Sequence, residues 1–342
     1  MELGICTFAE MTPDPATGNP ANAQQRLVDL MEEIELTEQV GLDVYAIGEH
    51  HRPDFVSSAP TVILGAAAVK TKRIKLSTAV TVLSSEDPVR VFQQFATVDL
   101  LSNGRAEIMA GRGSFIESFP LFGYSLNDYD ELFAEKLELL LQINKQVNVS
   151  WKGKYRASIP GVGVYPRPVQ KELPVWIAVG GTPASAIRAG TLGLPLALAI
   201  IGGMPDQFVP LIDLYKNTAL KQGNKPVVCI NSHGFLAGSS QEAADIFYPP
   251  YSEVMTRIGK ERGWQGMNRQ MYDYMRTEKG SLLVGSPQQV IDKILYEYEL
   301  FKNDRYLIQL TVGPIPHKKV MEAIELFGTK VAPEVRKALQ KS

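Results

Sequence analysis

Two adjacent histidines stand beside a carboxylate in the segment YAIGEHHRPDF, residues 45–55. His50 and His51, which are half of the histidines in the chain, directly follow Glu49. An imidazole titrates near neutral pH and can give or take a proton, and a neighbouring carboxylate can orient its ring. The pair could equally belong to an ordinary polar loop. A metal site is disfavoured, because the two remaining histidines come with no acidic ligand pattern.

Two glycine turns farther along the chain have the composition of an anion site. In GRGS, residues 111–114, the glycines allow a close approach of the backbone to a ligand, and Arg112 offers forked donors that suit a phosphate. In VGGTPASAIRAG, residues 179–190, a glycine turn leads into a helix whose first amides favour an anion, and Thr182 and Ser185 could add hydroxyl donors. Glycines in such turns often serve geometry alone. The chain contains no GxGxxG motif and no P-loop lysine, so the nicotinamide and ATP fingerprints are absent.

Other catalytic chemistries have weaker support in the sequence. There is no GxSxG motif, and Cys6 and Cys229 have no obvious activating partner, so we interpret both as small buried hydrophobes. A glycoside hydrolase needs two carboxylates at strand ends, and Glu10 with Glu49 leaves that alternative open. The formal net charge of −2 offers no electrostatic case for binding nucleic acid or an anionic membrane.

The ends of the chain and its apolar runs bear on localisation. The first residues, MELGICTFAEM, lack a basic start and a long apolar run, so no signal peptide is expected. The stretch LGLPLALAII is too short to span a membrane and is interrupted by Pro195. We therefore expect a cytoplasmic protein without a membrane partner.

Short apolar runs alternate with longer amphipathic ones along the 342 residues. Eight such runs are predicted strands, each followed by helical sequence: LGICTF, DVYAIGEH, IKLSTAVTVL, AEIMAG, VWIAVG, LPLALAII, PVVCINSHGFLA and YLIQLTV. This alternation predicts one α/β domain over residues 1–342, a (β/α)8 TIM barrel. Insertions are expected after the fourth strand, at 150–173, and after the seventh, at 250–280, where Pro249 and Pro250 should break the preceding helix.

The polar residues collect at the predicted strand ends. A parallel barrel places its active site at the carboxyl ends of its strands. Glu10, the histidine segment, the GRGS motif and the second glycine turn all stand at such ends, whereas the strand starts are plain. The candidate residues from distant parts of the chain are therefore expected to meet at one mouth of the barrel.

The chain resembles the bacterial luciferase-like flavin monooxygenases along nearly its full length. Four motifs, which occur in the same order as in that family, carry the resemblance. They are GLDVYAIGEHH, LSTAVTVLSSEDPVRVFQQFATVDLLSNGRAEIMAGRGS, PVWIAVGGTPASAIRAGTLGLPLALA and VGSPQQVIDKI. The resemblance implies a (β/α)8 barrel, often a homodimer, that binds reduced FMN or a 5-deazaflavin relative. It also implies that residues 250–280 correspond to a mobile segment covering the site, and a static excursion of the chain is the alternative reading of this segment.

The resemblance assigns roles to individual residues. His50 aligns with the general acid/base of the luciferases, an imidazole expected to titrate near pH 7, and Glu49, His51 and Glu10 would line the same pocket. Ala79 and Val80 fall where many members have a non-prolyl cis peptide beside the flavin ring. The residues implied in cofactor binding are Ala79, Val80, Arg112, Gly180, Gly181, Thr182 and Ser185. The two glycines replace a carboxylate and a serine of the luciferases, so phosphate contacts there would depend on backbone amides.

The implied function is that of a flavin-dependent monooxygenase. It would take reduced FMN from a separate flavin reductase and use dioxygen to oxidise a small, hydrophobic organic substrate in a pocket formed by Phe8, Phe55, Phe115 and Met204. Two alternatives stay open. One is a hydride-transfer oxidoreductase that uses 5-deazaflavin, and the other is a non-catalytic flavin-binding protein of the same fold.

Overall fold

Strands and helices alternate along most of the chain. The computed structural model describes residues 1–340 apart from 12, 14–21 and 114. The strands are β1 (Glu2–Thr7), β2 (Val44–Ile47), β3 (Lys75–Thr78), β4 (Thr81–Val82), β5 (Ile108–Gly111), β6 (Asn148–Trp151), β7 (Ile159–Gly163), β8 (Val175–Val179), β9 (Leu196–Ile200), β10 (Val228–Leu236), β11 (Leu283–Gly285) and β12 (Arg305–Gln309).

Nine strands lie parallel in one curved sheet, in the order β3-β2-β1-β12-β10-β9-β8-β5-β4. The two ends of this path, β3 and β4, follow one another in the chain, and Leu76 of β3 bridges to Ala106 just before β5. β3 and β4 therefore act as one interrupted strand that closes the sheet into a barrel. Counting them as one, the nine strands fill eight positions. The predicted (β/α)8 fold is confirmed.

The helices cover the outside of the barrel. They are α1 (Ala23–Gln39), α2 (Pro60–Lys70), α3 (Pro88–Ser102), α4 (Ser118–Phe122), α5 (Tyr129–Lys145), α6 (Pro183–Leu192), α7 (Val209–Lys221), α8 (Ser240–Arg262), α9 (Arg269–Met275), α10 (Pro287–Phe301), α11 (His317–Leu326) and α12 (Ala332–Leu339). In the described part of the chain no helix has the length and apolar character needed to cross a membrane.

Local sequence explains where the two helices next to the candidate site begin and end. The side chain of Asp87 caps α3 by accepting from the amides of Val89 and Arg90, and Pro88 occupies the first turn, where its missing N–H costs nothing. Helix α6 begins with Pro183 and ends at Leu192, and the residue that caps it, Gly193, has φ +67°. That conformation is one that glycine adopts without steric cost.

A cluster of ion pairs closes the barrel at the amino ends of the strands. The candidate site lies at the opposite, carboxyl ends. At the strand starts, Arg305 is 1% exposed and donates to Glu107, at 2.7 Å, and to Glu2. Its guanidinium also lies 4.3 Å from the ring of Trp176. Because these charges are paired and hydrogen-bonded, they can be buried at the closed end.

An antiparallel hairpin, β6–β7, occupies the first predicted insertion. Its register shifts between Val149 and Ser150, and it follows α5 before the chain returns to the barrel at β8. The pairing explains why this Gly- and Pro-containing segment had no helical periodicity.

The expected break of the helix at Pro249 and Pro250 is wrong. Helix α8 runs through both prolines without interruption. Its neighbours Phe247 and Tyr251 are fully buried, and Pro250 packs against Gly313, where an added Cβ would lie 2.8 Å from the Pro250 carbonyl. Tertiary packing therefore outweighs the local cost of the prolines. Two short elements after it, α9 and β11, were also not predicted.

Candidate active site

A cavity of about 310 Å³ opens at the carboxyl ends of the strands. Most of the candidate site residues predicted from the sequence line this cavity. They are Glu49, His50, His51, Ala79, Val80, Arg112, Gly180 and Thr182. Gly181 and Ser185 are not among the described residues of its lining. Gly181 is exposed beside the cavity, and Ser185 is buried in the first turn of α6.

The two predicted anion-binding turns meet at one edge of this cavity. Arg112, directly after β5, donates from Nη2 to Oγ1 of Thr182 at 3.3 Å, although 70 residues separate them. Thr182 immediately precedes α6, and its side chain makes no capping bond to a described residue of that helix. A Cβ built at Gly180 or Gly181 would meet no described atom within 4 Å. A guanidinium, a hydroxyl and a helix start therefore border an open space.

The charges around this edge favour an anion. Arg188 of α6 is close enough to Arg112 for the two charges to interact. Burial, and then the positive charge of Arg112, lower the pKa of Arg188. Arg112 is also paired with Asp130 and lies 5.3 Å from the ring of Tyr129, and both residues open α5. A phosphate could take the place of Asp130 on the guanidinium. Tyr129 and Asp130 were not identified from the sequence, and Ser114 lies outside the described residues.

The wall of the cavity between β3 and β4 is formed by Ala79 and Val80. The peptide bond between them is cis, as the resemblance implied. Val80 packs directly over Gly111, where an added Cβ would lie 2.6 Å from Val80 Cγ2. A glycine at 111 is therefore needed for the close approach of these two segments.

Glu49 holds the histidine segment to this wall. Its Oε1 lies 3.0 Å from Nε2 of His51, and its Oε2 accepts from the backbone amide of Val82 at 2.9 Å. The hydrogen bond to Glu49, opposed by burial, raises the pKa of His51. Both carboxylate oxygens are thus occupied, which fits a positioning role for Glu49.

His50 has an apolar environment that differs from the expected one. Its ring lies 4.4 Å from Phe8, 4.4 Å from Phe55 and 4.9 Å from Phe115, measured between ring centroids. Burial, followed by the charges of His51 and Arg52, lowers the pKa of His50 to about 3. The expectation of an imidazole that titrates near pH 7 is wrong for His50, which is neutral at physiological pH.

A second cavity, of about 530 Å³, adjoins the first and shares Phe8, Phe115, Ile201 and Gln309 with it. Helix α8 covers it, and Glu10 and His233 lie in its lining. Phe8, Phe55 and Phe115 contribute to it as expected. Met204 is not among the described residues that line either cavity, which corrects its predicted place in the pocket. We refer to the two spaces as the inner cavity and the chamber.

The described residues contain no cluster of side chains that could serve as a metal site. Among them, no three His, Cys, Asp or Glu side chains come together in a group that could hold an ion.

Sequence comparison connects these features with known proteins. A family model for luciferase-like monooxygenases matches residues 1–302. The uncharacterised protein y4vJ of Sinorhizobium fredii is 28% identical over 326 residues, which cover 91% of this chain and 92% of that protein. An F420-dependent glucose-6-phosphate dehydrogenase of Amycolatopsis mediterranei is 34% identical over 173 residues, 48% of this chain and 51% of the dehydrogenase.

Solved structures share the fold at low sequence identity. Monooxygenase RslO1 from Streptomyces bottropensis superposes with a TM-score of 0.85 at 24% identity, covering 98% of this chain and 99% of RslO1. The oxygenating constituent of 3,6-diketocamphane monooxygenase from Pseudomonas putida, a type II Baeyer–Villiger enzyme in complex with FMN, has a TM-score of 0.78 at 19% identity, with 98% of each chain covered. The match of the family model over most of the sequence shows that the chain belongs to the luciferase-like monooxygenases.

Proposed function

We propose that the protein is a flavin-dependent monooxygenase that uses reduced FMN and dioxygen to oxidise a small hydrophobic organic molecule. The observation that carries the proposal is the meeting of Arg112 with Thr182 at the start of α6, on the edge of a cavity that also contains His50. This arrangement offers a phosphate site and an apolar space side by side, as a flavin mononucleotide requires.

The residues present fit the phosphate of FMN. The open space beside Gly180 and Gly181 leaves room for it, and Arg112, the Thr182 hydroxyl and the backbone of the glycine turn would hold it. Ser185, which is buried, would support this turn from inside α6. When bound, reduced flavin supplies the electrons for the reaction and activates dioxygen.

The protein side chains have two tasks around the flavin ring. Ala79 and Val80 would present a small apolar wall to it, held in place by the hydrogen bond from Val82 to Glu49. His50, with its three phenylalanine neighbours, excludes water, and its neutral ring can accept a hydrogen bond at its unprotonated nitrogen. His51 and Glu49 then serve to fix the position of this segment.

Assembly and supply of the cofactor complete the proposal. A separate flavin reductase would deliver the reduced FMN, since the sequence carries no nicotinamide fingerprint. A homodimer would form through the outer faces of α2 and α3, where Val62, Val69, Leu100 and Leu101 are exposed. Residues 250–280 would open as a lid over the chamber.

A second candidate is hydride transfer with a 5-deazaflavin, favoured by the 34% identity to the F420-dependent dehydrogenase over half of the chain. Parallel titrations with reduced FMN, oxidised FMN and the deazaflavin separate the two. We expect reduced FMN to bind, and dioxygen uptake to follow when a hydrophobic substrate is present. Tight binding of the deazaflavin without any binding of FMN would transfer the assignment to hydride transfer.

A further inference from the structure

The lining of the chamber is largely apolar, with several polar and charged side chains in it, among them Asp54, Glu253 and Arg257. Phe55, Val254, Ile258, Trp264 and Val312 form much of its surface. Glu10 lies in the same lining and is 9% exposed, so its carboxyl is buried by the protein. A buried carboxyl costs free energy unless it is hydrogen-bonded, and one that lines a cavity is a candidate for binding a ligand.

A directed chain of hydroxyl groups holds Glu10. The backbone amide of Ala9 donates to Oγ1 of Thr7 at 2.9 Å, so this oxygen already accepts one hydrogen bond. Thr7 Oγ1 lies 3.0 Å from Thr311 Oγ1, which donates to Oε2 of Glu10 at 2.8 Å. The hydrogen of Thr7 therefore points to Thr311, and the hydrogen of Thr311 points to Glu10. With Oε2 fixed as an acceptor, Oε1 becomes the oxygen that carries a proton when the carboxyl is neutral.

Burial brings the pKa of Glu10 close to neutral pH, and the surrounding groups shift it less. Burial raises its pKa to about 7, against the opposing effects of its own backbone amide, Thr311 and Arg26. Arg26 is itself paired with Glu33 at 2.9 Å, and that carboxylate raises the pKa of Glu10 slightly. The thiol of Cys6 is close as well, and burial holds it protonated.

His233, which also lines the chamber, stays neutral in this range. It is buried, and burial lowers its pKa to about 4. Its Nδ1 has no hydrogen-bond partner among the described residues, and its ring lies 5.8 Å from that of Tyr251. A titration observed near pH 7 in the chamber would therefore belong to Glu10.

We propose that Glu10 is the specificity-determining residue of the chamber, where it binds the single oxygen function of an otherwise apolar organic substrate. This inference rests on the proposed function, because the chamber adjoins the inner cavity through Phe8, Phe115 and Gln309. The protonated carboxyl donates to an oxygen that only accepts, such as a ketone oxygen. The carboxylate accepts from a hydroxyl group, so an alcohol is bound in both states.

The test uses three probes of similar shape: 2-octanone, 2-octanol and octane. Their affinities are measured by calorimetry at about pH 6 and about pH 8, on either side of the Glu10 pKa of about 7. One lost neutral hydrogen bond corresponds to roughly a fivefold to tenfold change in affinity. We expect the ketone to bind about that much more weakly at the higher pH, while the alcohol changes little.

Two variants assign this effect to Glu10. In Glu10→Gln the amide donates at every pH, so the ketone should bind equally at both. Thr311→Val removes a hydrogen bond that favours the carboxylate, so the pH midpoint of ketone binding should rise. Glu253→Gln, at an exposed position of the same chamber, is the control and should behave as the wild type. An unchanged pH dependence in Glu10→Gln, or equal affinity for octane and octanone, would overturn the inference.

Titration of the same proteins with FMN separates the two levels of the proposal. FMN binding by Glu10→Gln shows that the inner cavity is intact when the ketone response is lost. Failure of the wild type to bind FMN refutes the proposed function, whatever the ketone titration shows.

Discussion

Replacing Glu49 by glutamine tests how the histidine segment is held to the cavity wall. The carboxylate uses one oxygen for His51, at 3.0 Å, and the other for the amide of Val82, at 2.9 Å. A glutamine side chain has one oxygen and one NH₂ group in their place. It can still accept from Val82, but its NH₂ group would then face His51.

The size of the effect depends on the charge of His51. A hydrogen bond to a charged group stabilises by about 1.5–3 kcal/mol, and we expect Glu49→Gln to lose about this much while His51 is protonated. The folded-state pKa of His51 is raised by Glu49. Its contribution is therefore fully present below the unfolded value of about 6.5 and disappears as the pH rises through the higher folded value. The decrease in the free energy of unfolding caused by Glu49→Gln should be large at about pH 5.5 and small at about pH 8.5.

Denaturant unfolding at the two pH values measures this difference, and an NMR titration of the histidine rings measures the pKa of His51. Glu117→Gln is the matched control, because Glu117 also raises the pKa of His51 by its charge, whereas its Oε1 has no hydrogen-bond partner among the described residues. We expect a clearly lower pKa of His51 in Glu49→Gln than in the control. Equal unfolding free energies for both variants at the lower pH would refute the positioning role of Glu49.

Two further predictions concern the reaction and the lid. His50→Ala should abolish flavin-dependent oxygenation while FMN still binds, and unchanged turnover in the variant would exclude His50 from the chemistry. The pH profile of the wild-type rate should show no change caused by titration of His50 above about pH 5, because the pKa of this residue is lowered to about 3. Arg52 binds Glu261 in the last turn of α8 at 2.7 Å, so Glu261→Gln should speed amide hydrogen exchange in the last turns of α8 and cost only about 0.5 kcal/mol in global stability. Glu322→Gln, which removes an exposed pair within α11, is its control, and equal exchange in the two variants would argue against a lid held by this pair.

The sequence was a good guide where local signals decide the structure. The glycine turn within residues 179–190 was predicted to lead into a helix, and α6 begins there at Pro183. Eight apolar runs predicted the strand positions, and barrel closure then implied that Arg112 and Thr182 would meet. The pairing of strand ends follows from topology alone, so it required no knowledge of individual contacts.

The sequence was a poor guide where burial by distant segments decides the chemistry. Burial is the main cause of the low pKa of His50, and two of the three rings packed around it, Phe8 and Phe115, come from loops that are distant in the sequence. The bond from Thr311 to Glu10 joins residues 301 positions apart. No pattern in a single stretch could have indicated either environment. The continuity of α8 through its prolines has the same origin, because packing on the barrel compensates a local defect.

The central claim is that Arg112 binds the phosphate of a flavin at the start of α6. The most direct measurement compares FMN with riboflavin, which lacks the phosphate, in the wild type and in Arg112→Ala, with the exposed Arg90→Ala as control. Loss of a charge-assisted hydrogen bond predicts roughly 10-fold to 100-fold weaker binding of FMN and unchanged binding of riboflavin. Equal weakening of both ligands would contradict the account, since the arginine would then support the structure without contacting the phosphate.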